Sequence, residues 1–254
     1  MLISPERLYI ATIDEDAPEL AKAYGTGLEL DEFCTAVNMD EPNDLPWRKI
    51  VEEKMLSAQR FVFHAPFAEL SPAAVDPLIG QVSRHRYEQI YAIVSGYGVK
   101  RMVVHSGFVP HHHYEVYYIG QSIKFWNDYL QDKPGDFQVL LENVLDWNPR
   151  LLAEVAAGVN DSRLRICWDI GHSFVHAKLP WQDWLEAYAP YLAHVHIHDN
   201  DGVGDQHKPL GEGSLPLREI IDAIEAVSHP TYTIENMQAA NSLRWLCQED
   251  GGKA

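Results

Sequence analysis

Eight short apolar runs, separated by longer segments, set the strongest limit on the fold of this chain. They are rich in β-branched and aromatic residues, as strands are, and they cover residues 8–13, 27–31, 61–65, 101–106, 139–143, 164–170, 193–199 and 231–236. Helical periodicity occupies segments between them, among them residues 45–57, 73–97, 114–130, 149–157 and 217–227. Strands that alternate with helices form a parallel sheet. Eight such units predict a closed (β/α)8 TIM barrel.

The length of the chain agrees with that fold. Its 254 residues are close to the number that one (β/α)8 barrel needs. The sequence contains no internal repeat and no evident linker, so we predict a single domain over residues 1–254. An open doubly wound sheet is the alternative arrangement. No GxGxxG or P-loop motif follows any of the runs, so neither that alternative nor a nucleotide cofactor is favoured.

The charge of the chain narrows the kinds of partner it can have. The formal net charge is −17 with histidine neutral, and no cluster of Lys or Arg is present. Because proteins that grip nucleic acid neutralise phosphates with clustered cations, duplex DNA is disfavoured as the main substrate. No run approaches the length of a membrane span, and the first residues lack the features of a secretory signal. We therefore expect a cytoplasmic protein without membrane contact.

Potential metal ligands end six consecutive predicted strands. These residues are His64, His105, Glu142, Asp169, His196 and Glu235. Three more ligand-type residues follow strand ends, namely His172, Asp205 and His207. The carboxyl ends of barrel strands meet at one face, so these side chains should converge there. A single strand-end histidine or glutamate is more often structural or solvated. Six in series predict a site for zinc or another divalent metal, because buried carboxylates are costly unless paired or metal-bound.

Two histidine-rich segments need separate interpretation. In HVHIHD, alternation along a strand places His194, His196 and His198 on one face. Depth alone does not separate His196 from His198 as a ligand, and the remaining histidines are interpreted as inward polar packing or as groups that hydrogen-bond to the ligands. The run at residues 111–113 resembles a metal-binding tract only in composition. We interpret it as a mobile loop or lid and leave it outside the ligand set.

Seven motifs follow one another along nearly the whole chain: FVFHAP, VVHSG, LLENV, CWDIGHSF, HVHIHD, DQHKPLGEG and TIEN. Together they resemble the xylose-isomerase-like TIM barrels (AP endonuclease family 2), which include endonuclease IV and many sugar isomerases and epimerases. The resemblance favours His196 over His198 as the ligand from strand seven. GLELD at strand two looks more like the sugar isomerases, and the DNA-penetrating loops of endonuclease IV have no identifiable counterpart here.

The resemblance also implies how the ligands are shared. Sugar isomerases and epimerases of the superfamily keep a four-ligand site, matched here by Glu142, Asp169, His196 and Glu235. Endonuclease IV adds five ligands and holds three zinc ions; the matching positions are His64, His105, His172, Asp205 and His207. The resemblance thus implies one zinc on His64, His105 and Glu142, a second on Glu142, Asp169, His196 and Glu235, and a third on His172, Asp205 and His207. Manganese or another divalent ion is the alternative to zinc.

Three functions follow from these observations. The first is a trinuclear zinc phosphoester hydrolase that acts on a small phosphodiester or nucleotide-containing metabolite, with the ions stabilising the attacking and leaving oxygens. The alternative is a one-metal sugar or sugar-phosphate isomerase or epimerase, in which Glu142 and Glu235 are the catalytic acid and base. The third is a non-catalytic metal- or ligand-binding barrel, since fold alone does not imply activity. We expect a small, phosphorylated substrate; homo-oligomer formation stays open.

Overall fold

Residues 1–248 are described by a computed structural model and form one closed barrel of eight parallel strands. The strands are β1 Leu8–Ala11, β2 Gly27–Leu30, β3 Phe61–His64, β4 Arg101–His105, β5 Gln138–Glu142, β6 Leu164–Asp169, β7 Leu192–Ile197 and β8 Thr231–Ile234. Strand β1 pairs with both β2 and β8, which closes the barrel. The predicted (β/α)8 fold is confirmed. Positions 249–254 of the predicted domain lie outside the described residues.

Helices follow the strands and cover the outside of the barrel. They are α1 Ala17–Tyr24, α2 Asp44–Met55, α3 Pro77–Gly96, α4 Glu115–Leu130, α5 Arg150–Val159, α6 Ile170–His176, α7 Trp181–Tyr188, α8 Leu217–Val227 and α9 Ala239–Cys247. The predicted helix at 73–97 begins later, at Pro77, because Asp76 caps it by accepting a hydrogen bond from the amide of Leu78. None of the helices within residues 1–248 has the length and apolar character needed to cross a bilayer.

The barrel interior has an apolar layer directly below its carboxyl end. The five residues of this layer, here called the plug, are Tyr9, Val62, Val103, Leu140 and Cys167, and all are buried. Side chains two positions apart on a strand share a face. Each of the last four plug residues therefore lies two residues before a predicted ligand on the same strand and points to the same face: His64, His105, Glu142 and Asp169, respectively. The plug closes the barrel axis and forms the floor on which the polar site is built.

Candidate metal centre

Glu142 lies at the centre of a polar cluster at the carboxyl end of the strands. Its side chain is fully buried, and neither carboxylate oxygen has a hydrogen-bond partner. Oε2 lies 3.5 Å from Nε2 of His64 and 3.5 Å from Nε2 of His105. Oε1 faces the other way and lies 3.4 Å from Nδ1 of His196. Because an unpartnered buried carboxylate is costly, this geometry fits a ligand that bridges two cations.

Among the described residues, ligand-type atoms gather in four groups, and within each group they lie within 4.8 Å of one another; three of the groups together contain all nine predicted ligands. Site A comprises His64, His105 and Glu142; site B comprises Glu142, Asp169, His196 and Glu235; site C comprises His172, His198, Asp205 and His207. All nine predicted ligands fall into the combinations that the family resemblance implies. His198 is an addition to site C, where its ring stacks on that of His207 with centroids 3.8 Å apart.

Site B concentrates buried polar atoms that lack a hydrogen-bond partner. They are Glu142 Oε1 and Oε2, Asp169 Oδ2, His196 Nδ1 and Glu235 Oε2. Buried polar atoms in native proteins are almost always satisfied, so each exception needs an explanation. One divalent cation would satisfy an atom from each of the four residues. Three carboxylates and one imidazole form a donor set that suits manganese or zinc.

Backbone carbonyls orient three of the imidazoles, each by a contact with the ring nitrogen that does not face a ligand group. The Nδ1 atoms of His64, His172 and His207 lie 2.9, 3.0 and 2.8 Å from the carbonyl oxygens of Ala65, Asn143 and Glu235, respectively. A carbonyl can only accept a hydrogen bond, so each Nδ1 donates its proton and Nε2 is left to face site A or site C. Histidines that bind metal typically show this second hydrogen bond.

The carboxylate of Glu29 orients His196 in the same way, by accepting a hydrogen bond from the ring nitrogen that faces away from site B. Glu29 was not among the predicted site residues. This buried residue of β2 places Oε1 3.1 Å from Nε2 of His196. Its Oε2 accepts from the Thr233 hydroxyl at 2.5 Å and lies 3.2 Å from Nε2 of His194. Burial would raise the pKa of Glu29, but the charge of His196 and the hydrogen bond from His194 lower it well below its usual value. With Nε2 of His196 donating to this carboxylate, Nδ1 faces site B.

A fourth group of ligand-type residues is explained by this network. Cys167, His194 and His196 lie close enough to hold an ion. However, Nδ1 of His194 lies 2.6 Å from the Thr231 hydroxyl, and Nε2 lies 2.8 Å from that of Thr233. Both nitrogens of His194 are therefore engaged, and we interpret it as inward polar packing, as the sequence predicts.

Asp169 ends β6 and also begins α6. Its Oδ1 accepts a hydrogen bond from the amide of His172 at 2.6 Å, as an N-cap does, and lies 3.2 Å from Nε2 of His198. These contacts leave Oδ2 for site B. Gly171, in the first turn of α6, makes room for His198, because a Cβ there would approach the ring Cε1 to 2.0 Å.

Asp205 and His207 lie on the loop between β7 and α8. The carboxylate of Asp199 holds this loop by accepting from three of its backbone amides, and the Asp199 backbone pairs with that of Lys208. Asp205 Oδ2 lies 3.2 Å from Nε2 of His172. The side chains of Asp205 and His207 are 35% and 28% exposed. Site C is thus the group closest to solvent.

The imidazoles differ in charge because their neighbours differ. Burial lowers the pKa of His64, but the neighbouring Glu142 carboxylate outweighs burial and raises the pKa to about 9. Burial also opposes protonation of His207, and Asp205 overcomes it, again to a pKa of about 9. At His105 burial dominates and lowers the pKa to about 3. His105 is therefore neutral and available as a ligand at physiological pH.

A cavity of about 850 Å³ opens over the three groups, and we call it the main cavity. Its charged wall residues are mostly acidic: Asp31, Asp205, Glu212 and Glu235. Lys208 is the one Lys or Arg among the described residues that line it. A substrate in the main cavity thus meets carboxylates and imidazoles, and of the imidazoles His64 and His207 carry positive charge in the metal-free protein because their pKa values are raised to about 9.

The histidine run at 111–113 belongs to none of the ligand groups found within residues 1–248. His113 is buried, and its Nδ1 accepts a hydrogen bond from the amide of Val109 at 3.0 Å. His111 adopts a left-handed backbone conformation and packs edge-on against Trp147. The run therefore closes the loop between β4 and α4 on itself; whether that loop moves as a lid stays a prediction.

The chain belongs to the family described as xylose isomerase-like TIM barrel, which matches residues 19–248. An uncharacterised protein of Methanocaldococcus jannaschii is 24% identical over 211 residues, 72% of this chain and 66% of that protein. A Thermus thermophilus protein soaked with ZnCl2 is 23% identical with a TM-score of 0.74, over 95% of this chain and 96% of that one. A D-tagatose 3-epimerase-like protein is 19% identical with a TM-score of 0.75, over 94% of both chains. The predicted family is confirmed, and the structural similarities agree with the barrel fold.

Proposed function

We propose that this protein is a divalent-metal-dependent isomerase or epimerase that acts on a carbonyl-bearing polyol, such as a ketose, at site B. One observation carries the proposal: each of the four residues of site B has a buried ligand atom without a hydrogen-bond partner, and these atoms lie within 4.8 Å of one another. Among them, Nδ1 of His196 lies 3.0 Å from Oε2 of Glu235. That set is sufficient for a one-metal reaction. Similarity to sugar epimerases, including structures of a 3-keto-D-glucoside 4-epimerase and a D-psicose 3-epimerase, supports this function better than the phosphoester hydrolase predicted first.

The two glutamates of site B are placed to move a proton. Glu142 comes from β5 and Glu235 follows β8, three strands away around the barrel, so they reach a bound substrate from different sides. One glutamate removes the proton from the carbon beside the carbonyl, and the electron pair shifts onto the carbonyl oxygen to give an enediolate. The other glutamate, which enters the reaction protonated, donates its proton to that carbon from the opposite face, which gives the epimer. Donation to the neighbouring carbon, with transfer of the hydroxyl proton between the two oxygens, gives the isomer.

The remaining site residues hold and orient the reacting groups. Asp169 and His196, together with the glutamates, would hold the ion, which when bound polarises the substrate oxygens and offsets developing negative charge. The acidic wall of the main cavity, with Lys208 as its one Lys or Arg among the described residues, favours an uncharged polyol over a phosphate-rich substrate. This charge pattern agrees with the net charge of −17.

A second function has an observation of its own. Sites A and C are not needed for a one-metal isomerase, yet Glu142 places one oxygen toward site A and the other toward site B. Site C lies beside them, with His172 facing Asp205. An array of three ligand groups is typical of phosphoester hydrolysis, in which several cations share the charge of the phosphate. Hydrolysis of a small phosphodiester is therefore the second candidate.

One experiment separates the two functions. Protein purified without chelators or a histidine tag is assayed for metal content by plasma mass spectrometry. It is then incubated in D2O with a panel of ketoses and, separately, with bis(4-nitrophenyl) phosphate. For the isomerase we expect one ion per chain and deuterium at the carbon beside the carbonyl. Glu235→Gln should abolish this exchange, whereas His207→Ala, which removes a ligand of site C and leaves all four ligands of site B in place, should retain it.

The other outcomes are equally specific. Close to three zinc ions per chain, with phosphodiester hydrolysis that His207→Ala abolishes, would replace the isomerase by the hydrolase. Metal-loaded protein that neither exchanges deuterium nor hydrolyses the diester, and whose variants behave identically, would contradict both catalytic proposals and favour a binding barrel.

A further inference from the structure

A second cavity of about 830 Å³ adjoins the main cavity. We call it the apolar chamber, and its apolar lining residues include Phe67, Leu70, Val75, Ile79, Val109 and Leu145. Three residues, Phe67, His105 and Val144, line both cavities. These three residues form the boundary between the chamber and the space above the candidate metal centre. Phe67 stands at this boundary, where its ring stacks on that of His105 with centroids 4.4 Å apart.

Large apolar side chains stay exposed around this chamber. Phe67, Val75, Ile79 and Val109 have exposed fractions of 40%, 62%, 45% and 43%. They come from three separate places in the chain: the loop after β3, the start of α3 and the loop after β4. Apolar surface left in water costs about 25 cal/mol per Å². Convergence of such residues on one concave surface beside a polar site is typical of a ligand-binding pocket.

The walls of the chamber are fixed in place by contacts within the protein. Gly107 has a φ of 65°, and a Cβ there would lie 2.8 Å from the carbonyl oxygen of Leu70, so only glycine lets the two loops approach so closely. The hydroxyl of Ser71 donates to the Gly107 carbonyl at 3.1 Å and ties the loops together. The Val109–His113 hydrogen bond closes the second loop. The chamber is thus formed before a ligand arrives.

The charges of the chamber exclude one class of ligand. No Lys or Arg is found among its lining residues within the described part of the chain, and its two charged residues, Glu69 and Asp76, are acidic. A phosphate or carboxylate would find no cation there and would be repelled by both acids. Its occupant must therefore be apolar and without negative charge.

We propose that the apolar chamber binds an extended apolar group attached to the carbonyl-bearing head that site B holds. The inference rests on the proposed function and narrows its substrate class. The substrate is a sugar or related polyol that carries an apolar chain or ring, rather than a free monosaccharide, which would leave the chamber unfilled. The head lies over the metal centre, and the attached group passes Phe67 into the chamber.

The first test measures the chamber without catalysis. Prodan, an uncharged fluorescent dye, is titrated into the metal-loaded wild-type protein and into Val75→Asp and Ile79→Asp. We expect saturable binding of one dye per chain, and at least tenfold weaker binding to each variant. Leu56→Asp is the matched control, because Leu56 is 85% exposed and lines neither cavity; this variant should bind the dye as the wild type does. Thermal melts confirm folding, and Ile79→Ser replaces any variant that unfolds.

Absence of saturable dye binding would overturn the proposal, as would equal binding by the chamber variants and the Leu56 control. Sedimentation velocity tests a third outcome that would contradict the proposal. If the chain self-associates and dye binding is lost as the dimer forms, the apolar surface is an interface between two copies of the chain.

The second test asks whether an apolar group bound in the chamber improves the binding of a substrate that reacts at site B. A free ketose is compared with the same ketose carrying a hexyl or phenyl group in ether linkage to one hydroxyl. The substituted compounds should have a KM at least tenfold lower with a similar kcat, and Val75→Asp should remove that difference. Dye binding that depends on Val75 and Ile79, without turnover of any ketose, would refute the isomerase and leave the chamber as a ligand site. Turnover with equal KM for free and substituted ketoses would refute the chamber proposal alone.

Discussion

On strands β3 to β6 the plug lies two residues before a layer of predicted metal ligands, here called the ligand layer: His64, His105, Glu142 and Asp169. The two layers differ in almost every physical property. Leu140 of the plug is buried among apolar neighbours. Glu142, one step further along β5, is equally buried but leaves both oxygens without a hydrogen-bond partner. The plug stabilises the barrel by excluding water, whereas the ligand layer buries charged groups, whose cost is offset by protonated imidazoles in the metal-free protein and by the ion when metal is bound. The comparison shows how one strand supplies the scaffold and then, at its end, the chemistry.

The sharpest contrast should come from changing one residue in each layer. Glu142→Gln removes the carboxylate shared by sites A and B, so we expect loss of the ion from site B and at least a roughly thousandfold fall in activity. Leu140→Ala should lower the free energy of unfolding by about 2–5 kcal/mol because it leaves a cavity, yet keep the metal content. Plasma mass spectrometry and urea unfolding measure the two effects. A Glu142→Gln protein that retains its full metal content would contradict the assignment of metal binding to the ligand layer and of stability to the plug.

A smaller effect is expected from the residue that orients His196. Glu29→Gln keeps the shape of the side chain but weakens the acceptor for Nε2 of His196, so the metal affinity of site B should fall by about tenfold to a hundredfold. Glu32→Gln is a matched control: Glu32 is also buried, but it pairs with Lys54 at 2.6 Å, away from the three groups. Competition with a chelator gives both affinities. Equal affinities for the two variants would show that Glu29 is only structural.

Counted per pH unit, the smallest expected effect is the dependence of metal affinity on pH. His64 and His207 have pKa values raised to about 9, by Glu142 and Asp205 respectively, against the effect of burial. Below pH 9 these imidazoles are therefore protonated in the metal-free protein, and binding must release the protons. With metal in excess, so that sites A and C also fill, the affinity of site A should rise by about tenfold per pH unit from pH 6 to 9 and then level off. The affinity of site C should rise more steeply, because Asp169 and Asp205 also raise the pKa of His172, against the effect of burial. Titration calorimetry in buffers of different ionisation enthalpy measures the released protons; affinities that do not change with pH would contradict the assigned charge states.

Residues at strand ends were the part of the molecule that could be predicted best. The position of Asp169 or Glu235 at the end of an apolar run is sufficient to place it at the carboxyl face of a barrel, because the topology brings all strand ends together. The same reasoning gives the three ligand groups only with help from the family resemblance, since spacing along the chain does not show which histidine faces which carboxylate.

Glu29 illustrates what sequence reasoning overlooked although a signal was present. It lies between Leu28 and Leu30, both buried, in a strand of four residues. Alternation places a side chain between two outward-facing leucines inside the barrel, and a charged residue there needs a partner. The sequence indicates this need but not the partner, because His196 lies 167 positions further along the chain.

Other features were beyond the reach of sequence patterns. Helices α1, α7 and α9 have only eight, eight and nine residues and were not among the predicted segments; so short an element carries little periodic signal. The apolar chamber depends on how two loops pack across Gly107. Loop conformation is set by such long-range contacts, so neither the chamber nor its depth can be predicted from local composition.

The double role of Asp169 links metal occupancy to local unfolding. One oxygen of its carboxylate begins α6 and the other faces site B, so a single side chain takes part in two equilibria. When α6 opens, Asp169 loses the hydrogen bond that fixes its rotamer, and site B loses a ligand. An ion that binds only the closed form must therefore oppose the opening. Amide hydrogen exchange at His172 should thus slow when metal is added, which makes the first turn of α6 a reporter of occupancy that needs no substrate.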